Sequence, residues 1–263
     1  MKIIDMNVSI GNRDAKGREI TPALLLAMMD DYRIEHAVAY HEYAKAEHRS
    51  GNALMAKIAK ESGGRIGACA VIDPALGADS LPGEGTFTER LRTGMFECIR
   101  IFPKLQRVAF HAFYLEEILD AANTLSLPLI IDQDHPAPRI SEVFYNLPDM
   151  AAKYPNVRFV IIRYGINGGR NIMPLLCKCK NVYFTVEKML DHMQIEEIYE
   201  KAGCDRLLFG SEFPELPPAG ALALVSTRSI PTSLPLRTVL SPQETPSFSI
   251  PVRIPRTPVS AAR

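Results

Sequence analysis

Short apolar runs recur along the chain, each bounded by polar or turn-forming residues, and longer stretches with helical spacing lie between them. Eight runs read as strands: "KIIDMNV" (2–8), "IEHAVAY" (34–40), "RIGACAVI" (65–72), "FECIRIF" (96–102), "LPLIID" (127–132), "VRFVIIR" (157–163), "NVYFTVE" (181–187) and "RLLFGS" (206–211). The stretches "TPALLLAMMDDY", "GNALMAKIAKES", "YLEEILDAANTL", "RISEVFYNLPDMAAKY", "NIMPLLCKC" and "QIEEIYEKAG" predict helices, with Gly63-Gly64 stopping the second and Gly203 the last. The strand runs show little in–out alternation, which is the habit of parallel strands covered by helices on both faces. Eight strand–helix units favour a closed α/β fold, the (β/α)8 TIM barrel, over an open doubly wound sheet. A dinucleotide-binding sheet would place a Gly-rich turn after its first strand, and "NVSIGNRD" has only Gly11.

The pattern stops near Val225. Residues 226–263 hold seven Pro, seven Ser and five Thr, with five Arg, one Glu and no Lys or Asp. Such a segment buries too little apolar surface to offset its ordering entropy. The chain therefore divides into a barrel over 1–225 and a Pro/Ser/Thr-rich tail over 226–263, expected to be disordered and to leave the barrel incomplete at its last helix. Two origins of the tail stay open: an out-of-frame or fused sequence, and a natural disordered, phosphorylatable extension.

Across 263 residues, thirty basic and thirty acidic side chains cancel. No long-range field draws nucleic acid or an anionic membrane, so neither is expected as a partner. Cys69, Cys98, Cys177, Cys179 and Cys204 are odd in number and stand mostly in apolar runs, which suits buried free thiols in a reducing compartment. Cys177-Lys178-Cys179 lacks the two-residue gap of metal and redox motifs. "MKIIDMNV" reads as neither a secretion signal nor a span, so a cytoplasmic location is expected.

In such barrels the working residues project from the C-terminal ends of the strands. Those ends hold Asn7 and Ser9, His41, Asp73, Arg100, Asp132 with Gln133, Arg163 with Tyr164, Glu187, and Glu212. Four blocks in register, "IDMNVSIG" (4–11), "LPLIID" (127–132), "PNVRFVIIRYG" (155–165) and "RLLFGSEFPE" (206–215), resemble the signature blocks of the amidohydrolase-related family of metal-dependent hydrolases and decarboxylases. The resemblance covers roughly residues 1–225 and implies a TIM barrel acting on a small carboxylated substrate, by hydrolysis of a C–N or C–O bond or by decarboxylation.

The departures from that pattern are chemical. Asn7-Val8-Ser9 stands where the family has His-x-His, Asp132 and Arg163 stand where it has single histidines, and Glu212 replaces its closing Asp. Asn and Ser are poor Zn²⁺ ligands, and a permanent guanidinium repels a cation. No metal site and no cofactor is therefore expected, although Asp132 and Glu212 retain oxygens of the kind Mg²⁺ takes with several waters. Two readings of the same residues remain. In one, Asp132 and Glu212 are counter-ions of Arg163 in a buried structural cluster. In the other, the site works without metal: Arg163, Asp132 and Glu212 are catalytic, Arg163 and Arg100 hold a carboxylate or carbonyl oxygen, and Asp132 or Glu212 moves a proton. Asn7, Ser9, His41, Arg100, Gln133 and Tyr164 are then the substrate-binding set. The alternative function is an inactive barrel that binds a small acid or a protein partner, and surface helices leave homo-oligomerisation open.

The remaining histidines offer less. His41-Glu42 and His48 are seven residues apart rather than four, so they do not make a zincin site. His36 suits a satisfied structural role within its strand, and His111 and His192 suit capping. His135, beside the fifth-strand block, is a candidate proton donor. No Gly-x-Ser-x-Gly elbow is present.

Overall fold

A computed structural model describes residues 3–133, 142–164, 169–187, 189, 194–203 and 205–227. Its elements follow in strict alternation: β1 (Ile3–Ile10), α1 (Pro22–Tyr32), β2 (Ile34–His41), α2 (His48–Glu61), β3 (Ile66–Val71), α3 (Phe87–Thr93), β4 (Phe96–Ile101), α4 (Glu116–Leu125), β5 (Pro128–Asp132), α5 (Glu142–Lys153), β6 (Arg158–Ile162), α6 (Gly169–Lys178), β7 (Val182–Thr185), α7 (Gln194–Ala202), β8 (Leu207–Leu208) and α8 (Pro218–Thr227). All eight expected strands are present. The strands are parallel and pair in sequence order.

Backbone bonds between β1 and the segment just after β8 close the ring. Met6 N donates to Phe209 O at 3.0 Å, Glu212 N to Asn7 O at 3.0 Å, and Ser9 N to Phe213 O at 3.0 Å. The fully buried Asp5 ties the same seam, its Oδ1 accepting Ser211 N at 2.9 Å and Asn7 N at 3.1 Å. The apolar residues sort into two groups. Met6, Val38, Cys69, Val71, Ile130, Val160 and Leu208 fill the barrel. Their neighbours in sequence, such as Ala37, Ala68, Leu129 and Ile161, pack outward with helix residues such as Leu25, Met55 and Leu119. This alternation on strands buried on both faces aims Arg100 and Asp132 inward, in step with Cys98 and Ile130.

Two helices lie outside the sequence expectations. α3 has only seven residues, and a reciprocal capping box joins Thr86 and Glu89 at its start. The eighth helix, expected to be incomplete, stands as α8 up to Thr227; residues 228–263, most of the proposed tail, lie outside the described residues. Cys69 and Cys98 are buried free thiols, but Cys177 is exposed because it sits on the outer face of α6, against the expectation of burial. Cys204 lies outside the described residues. Among the described residues, no helix is long and apolar enough to cross a membrane.

Candidate functional site

The ends of β4, β5, β6 and β8 converge on one buried cluster of charge. Arg163 follows the last residue of β6 with φ 53°, and Glu212 follows β8 with φ 62°. Both lie in the left-handed region, which costs a residue with a Cβ roughly 1–2 kcal/mol and which clusters at functional sites when the surroundings hold it. Asp132 sits between two guanidiniums. Its Oδ1 accepts Arg163 Nε at 2.8 Å, and its Oδ2 accepts Arg163 Nη2 at 2.8 Å and Arg100 Nε at 3.1 Å, with a further bond from Arg100 Nη2. Arg163 also pairs with Glu212, Nε to Oε1 at 3.7 Å, and through Nη1 with Glu215 Oε1 at 3.1 Å.

Burial alone would raise the pKa of Asp132, but the two arginines overcome it and hold the carboxyl down to about 2. Such a group keeps its charge across the physiological range and is a poor proton carrier. Arg100 is stacked 4.2 Å from the ring centre of Tyr40, a cation–π contact that offsets part of its desolvation.

A second chain of bonds leaves Arg100 sideways. Its Nη2 donates to Asn7 Oδ1 at 3.1 Å, and Asn7 Nδ2 donates to Glu187 Oε1 at 3.0 Å. Thr185 Oγ1 donates to the same oxygen at 2.8 Å. Glu187 is buried, and burial, reinforced by the like charge of Glu212, pushes its pKa up to about 8 against the bonds from Thr185 and Asn7. Gly210, just after β8, makes this possible, since a Cβ there would lie 3.0 Å from Glu187 Oε2 and 3.1 Å from Asn7 Cβ.

Of the nine sequence-predicted site residues, Asn7, Arg100, Asp132, Arg163 and Glu212 are brought together. Ser9 is buried but serves its own loop, accepting Asn12 Nδ2 at 2.9 Å. His41 caps the 3-10 turn over Glu42–Lys45, its Nδ1 accepting Tyr43 N at 3.2 Å, and its ring fills the space over Gly11. Gln133 is buried beside Asp132, with its backbone N bonded to Ile162 O at 3.2 Å. Tyr164 donates to Thr185 O at 3.2 Å and stacks edge-on against Phe184. His36 is satisfied by Gly64 O and Glu97 Oε2, both at 2.9 Å, and His111 caps Phe113 N. His135 and His192 lie outside the described residues. Glu187 lies at a strand end to which the sequence assigns no role, and Glu215 lies inside the last block without a signal of its own. Only position marks them: one closes the seventh strand run, and the other follows the left-handed Glu212 by a short turn.

Among the described residues, no group of three or more His, Cys, Asp or Glu side chains is placed to hold a metal ion. The structure is similar to several solved barrels. An uncharacterized TIM-barrel protein from Bordetella bronchiseptica superposes with a TM-score of 0.69 at 16% identity, over 88% of this chain and 92% of that one. A 5-carboxyvanillate decarboxylase from Sphingomonas paucimobilis follows at 0.62 and 14%, over 88% and 94%. A 2,6-dihydroxybenzoate decarboxylase from Rhizobium gives 0.60 and 13%, over 88% and 94%. At these identities the likeness is one of fold. No curated protein sequence matches the chain. The amidohydrolase family profile, by contrast, matches residues 8–244, continuing past Val225 and spanning most of the chain. A TIM barrel with its charged cluster at the ends of the strands, matched over that length, belongs to the amidohydrolase family.

Proposed function

We propose that the barrel takes a small carboxylated molecule at its mouth and acts on it without a catalytic zinc, with Arg163 holding the carboxylate and Glu212 beside it as the proton-moving acid. The observation that carries this reading is the two-sided use of Arg163. Its inner edge is locked on Asp132 by two bonds of 2.8 Å, while its Nη1 meets Glu215, whose side chain is 52% exposed. A half-exposed acid is easily exchanged for another carboxylate, because little desolvation accompanies the swap. The decarboxylases similar in fold are named for carboxylated aromatic substrates, which agrees with a small acid as ligand.

The donor set speaks against a hydrolytic zinc. Such a site takes about three ligands, mostly imidazoles with a carboxylate. Here Asn7 commits its amide to Arg100 and Glu187, Ser9 accepts from Asn12, and both oxygens of Asp132 are shared with guanidiniums. A dication placed among them would face two fixed positive charges. Hydrolysis of a C–N or C–O bond and decarboxylation both remain chemistries that an arginine-held carboxylate and a neighbouring acid support.

The mutual satisfaction of Arg100 and Asp132 favours a second reading, a silent barrel that binds a small acid or a protein. Thermal-shift measurements with mono- and dicarboxylic acids test the shared part of both, since a ligand of the native state raises its apparent stability by mass action. Acids are expected to stabilise the wild type, and Glu215→Gln more strongly at equal concentration, because the competing carboxylate is gone. No shift in either protein refutes the carboxylate site, and stoichiometric zinc in the purified protein refutes the metal-free one. Turnover of a binding acid separates enzyme from silent barrel.

A further inference from the structure

The hydrogen bonds around Glu187 run in one direction. A guanidinium only donates, so Arg100 Nη2 turns the oxygen of Asn7 toward itself and leaves the Asn7 nitrogen to face Glu187. Glu187 Oε1 is consequently an acceptor of two bonds, from Asn7 Nδ2 at 3.0 Å and Thr185 Oγ1 at 2.8 Å. The other oxygen, Oε2, is buried without a hydrogen-bond partner among the described residues. A buried polar atom left without a partner costs about 1–3 kcal/mol, and such an atom at the end of a barrel strand calls for a partner that the described residues do not supply.

We propose that Glu187 is held as a neutral carboxylic acid whose Oε2 hydroxyl donates a hydrogen bond to an oxygen of the bound molecule, selecting small acids that carry a second oxygen function. The assignment of the ligand rests on the carboxylate reading above; the protonation of Glu187 does not. Three features support it. Oε1 already receives two donors, so the proton has its place on Oε2. The charged neighbour that acts most directly on Glu187 is Glu212, of like sign. Gly210 leaves Oε2 its space, where any Cβ would press on it at 3.0 Å. A carboxylic acid kept neutral by its surroundings is an effective hydrogen-bond donor at neutral pH. Arg163 then reads the charge of the ligand, and Glu187 reads an acceptor elsewhere on it, which a simple monocarboxylic acid lacks.

Two measurements test this on the full chain. Difference infrared spectra of wild type minus Glu187→Gln at pH 6 are expected to show the carbonyl band of a protonated carboxyl; its absence overturns the neutral acid whatever the ligand. Calorimetric titration with butyrate, 3-hydroxybutyrate and succinate is expected to show the last two binding about tenfold more tightly, the size of one hydrogen bond. Glu187→Gln, which keeps a donor at the second position, should retain that preference, and Glu187→Met should erase it while leaving butyrate binding in place. A preference that survives in Glu187→Met overturns the donor role. If none of the three acids binds any of the proteins, the carboxylate reading falls, and the infrared band alone decides whether Glu187 is neutral.

Discussion

Replacing Asp132 by Asn removes the one carboxylate on which both arginines of the site converge. The amide has similar size, but one oxygen becomes an NH2 group facing guanidinium donors, and two buried cations lose their shared counter-charge. Asp132 is 0% exposed and Arg100 1%, so water does not take over. Breaking a buried pair by removing one partner costs about 3–5 kcal/mol. The titration of Asp132 gives a lower figure: a pKa of about 2 against the ordinary 3.8 amounts to about 2 kcal/mol. The second figure is smaller because a protonated carboxyl still accepts through one oxygen, whereas the amide turns a donor toward a donor. A loss of about 2–5 kcal/mol is therefore expected, a large share of a total near 5–15 kcal/mol. Equilibrium urea unfolding at pH 7, followed by circular dichroism, measures it. The sign with pH is fixed as well. A depressed carboxyl stabilises the fold above pH 3.8 and loses that contribution as pH falls through about 2, so the gap between the two proteins should narrow by about 2 kcal/mol in strong acid. A loss below about 1 kcal/mol at pH 7, the worth of an exposed pair, would refute the picture of a buried cluster held by Asp132.

Glu187→Gln should be more stable than wild type at pH 7, by up to ~3 kcal/mol, because a folded pKa of about 8 against the ordinary 4.5 makes Glu187 favour folding only in acid. That advantage should vanish below pH 4.5 and level off above about 8; a difference that does not vary with pH would sink the argument. Glu212→Gln is expected to abolish turnover of a binding acid while leaving the midpoint of thermal unfolding nearly unchanged, since Arg163 keeps its two bonds to Asp132. A loss of ~3 kcal/mol in that variant would assign Glu212 to the structural cluster instead. Gly210→Ala should cost about 1–3 kcal/mol by overpacking against Glu187 and Asn7, measured as a fall in the urea midpoint; an unchanged midpoint would mean that the contact relaxes freely.

The barrel was legible because its strands are buried on both faces, which writes them as continuous apolar runs that few other elements imitate. α3 was hidden by its brevity between Gly-rich turns, although Thr86 and Glu89 spell a capping box. α8 was hidden because its small apolar residues run into the change of composition near Val225. At the site, strand ends gave the correct neighbourhood for Arg100, Asp132, Arg163 and Glu212. The partners were not legible. Strict alternation does not foresee the left-handed turns at Arg163 and Glu212, and those turns decide which way each side chain swings. Nor does sequence show that Ser9 and His41, at equally favourable positions, are taken up by Asn12 and by a local cap.

The seam tied by Asp5 bears on how the chain reaches this state. β1 is made well before its partner at Phe209 and Phe213, so until that segment is made one side of β1 is an unpaired edge. Exposed, flat, apolar edges invite pairing between chains, and an inward-facing charge on an edge strand discourages it. Until closure, Asp5 is a charge on that edge, set in an otherwise apolar run. On closure it becomes the acceptor for Ser211 and Asn7, and its buried carboxyl is pushed up to about 6. One residue thus puts a charge on the open edge and an acceptor in the closed seam, and a neutral apolar residue at position 5 is expected to lower both the yield of folded protein and, by leaving two buried N–H groups without their acceptor, its final stability.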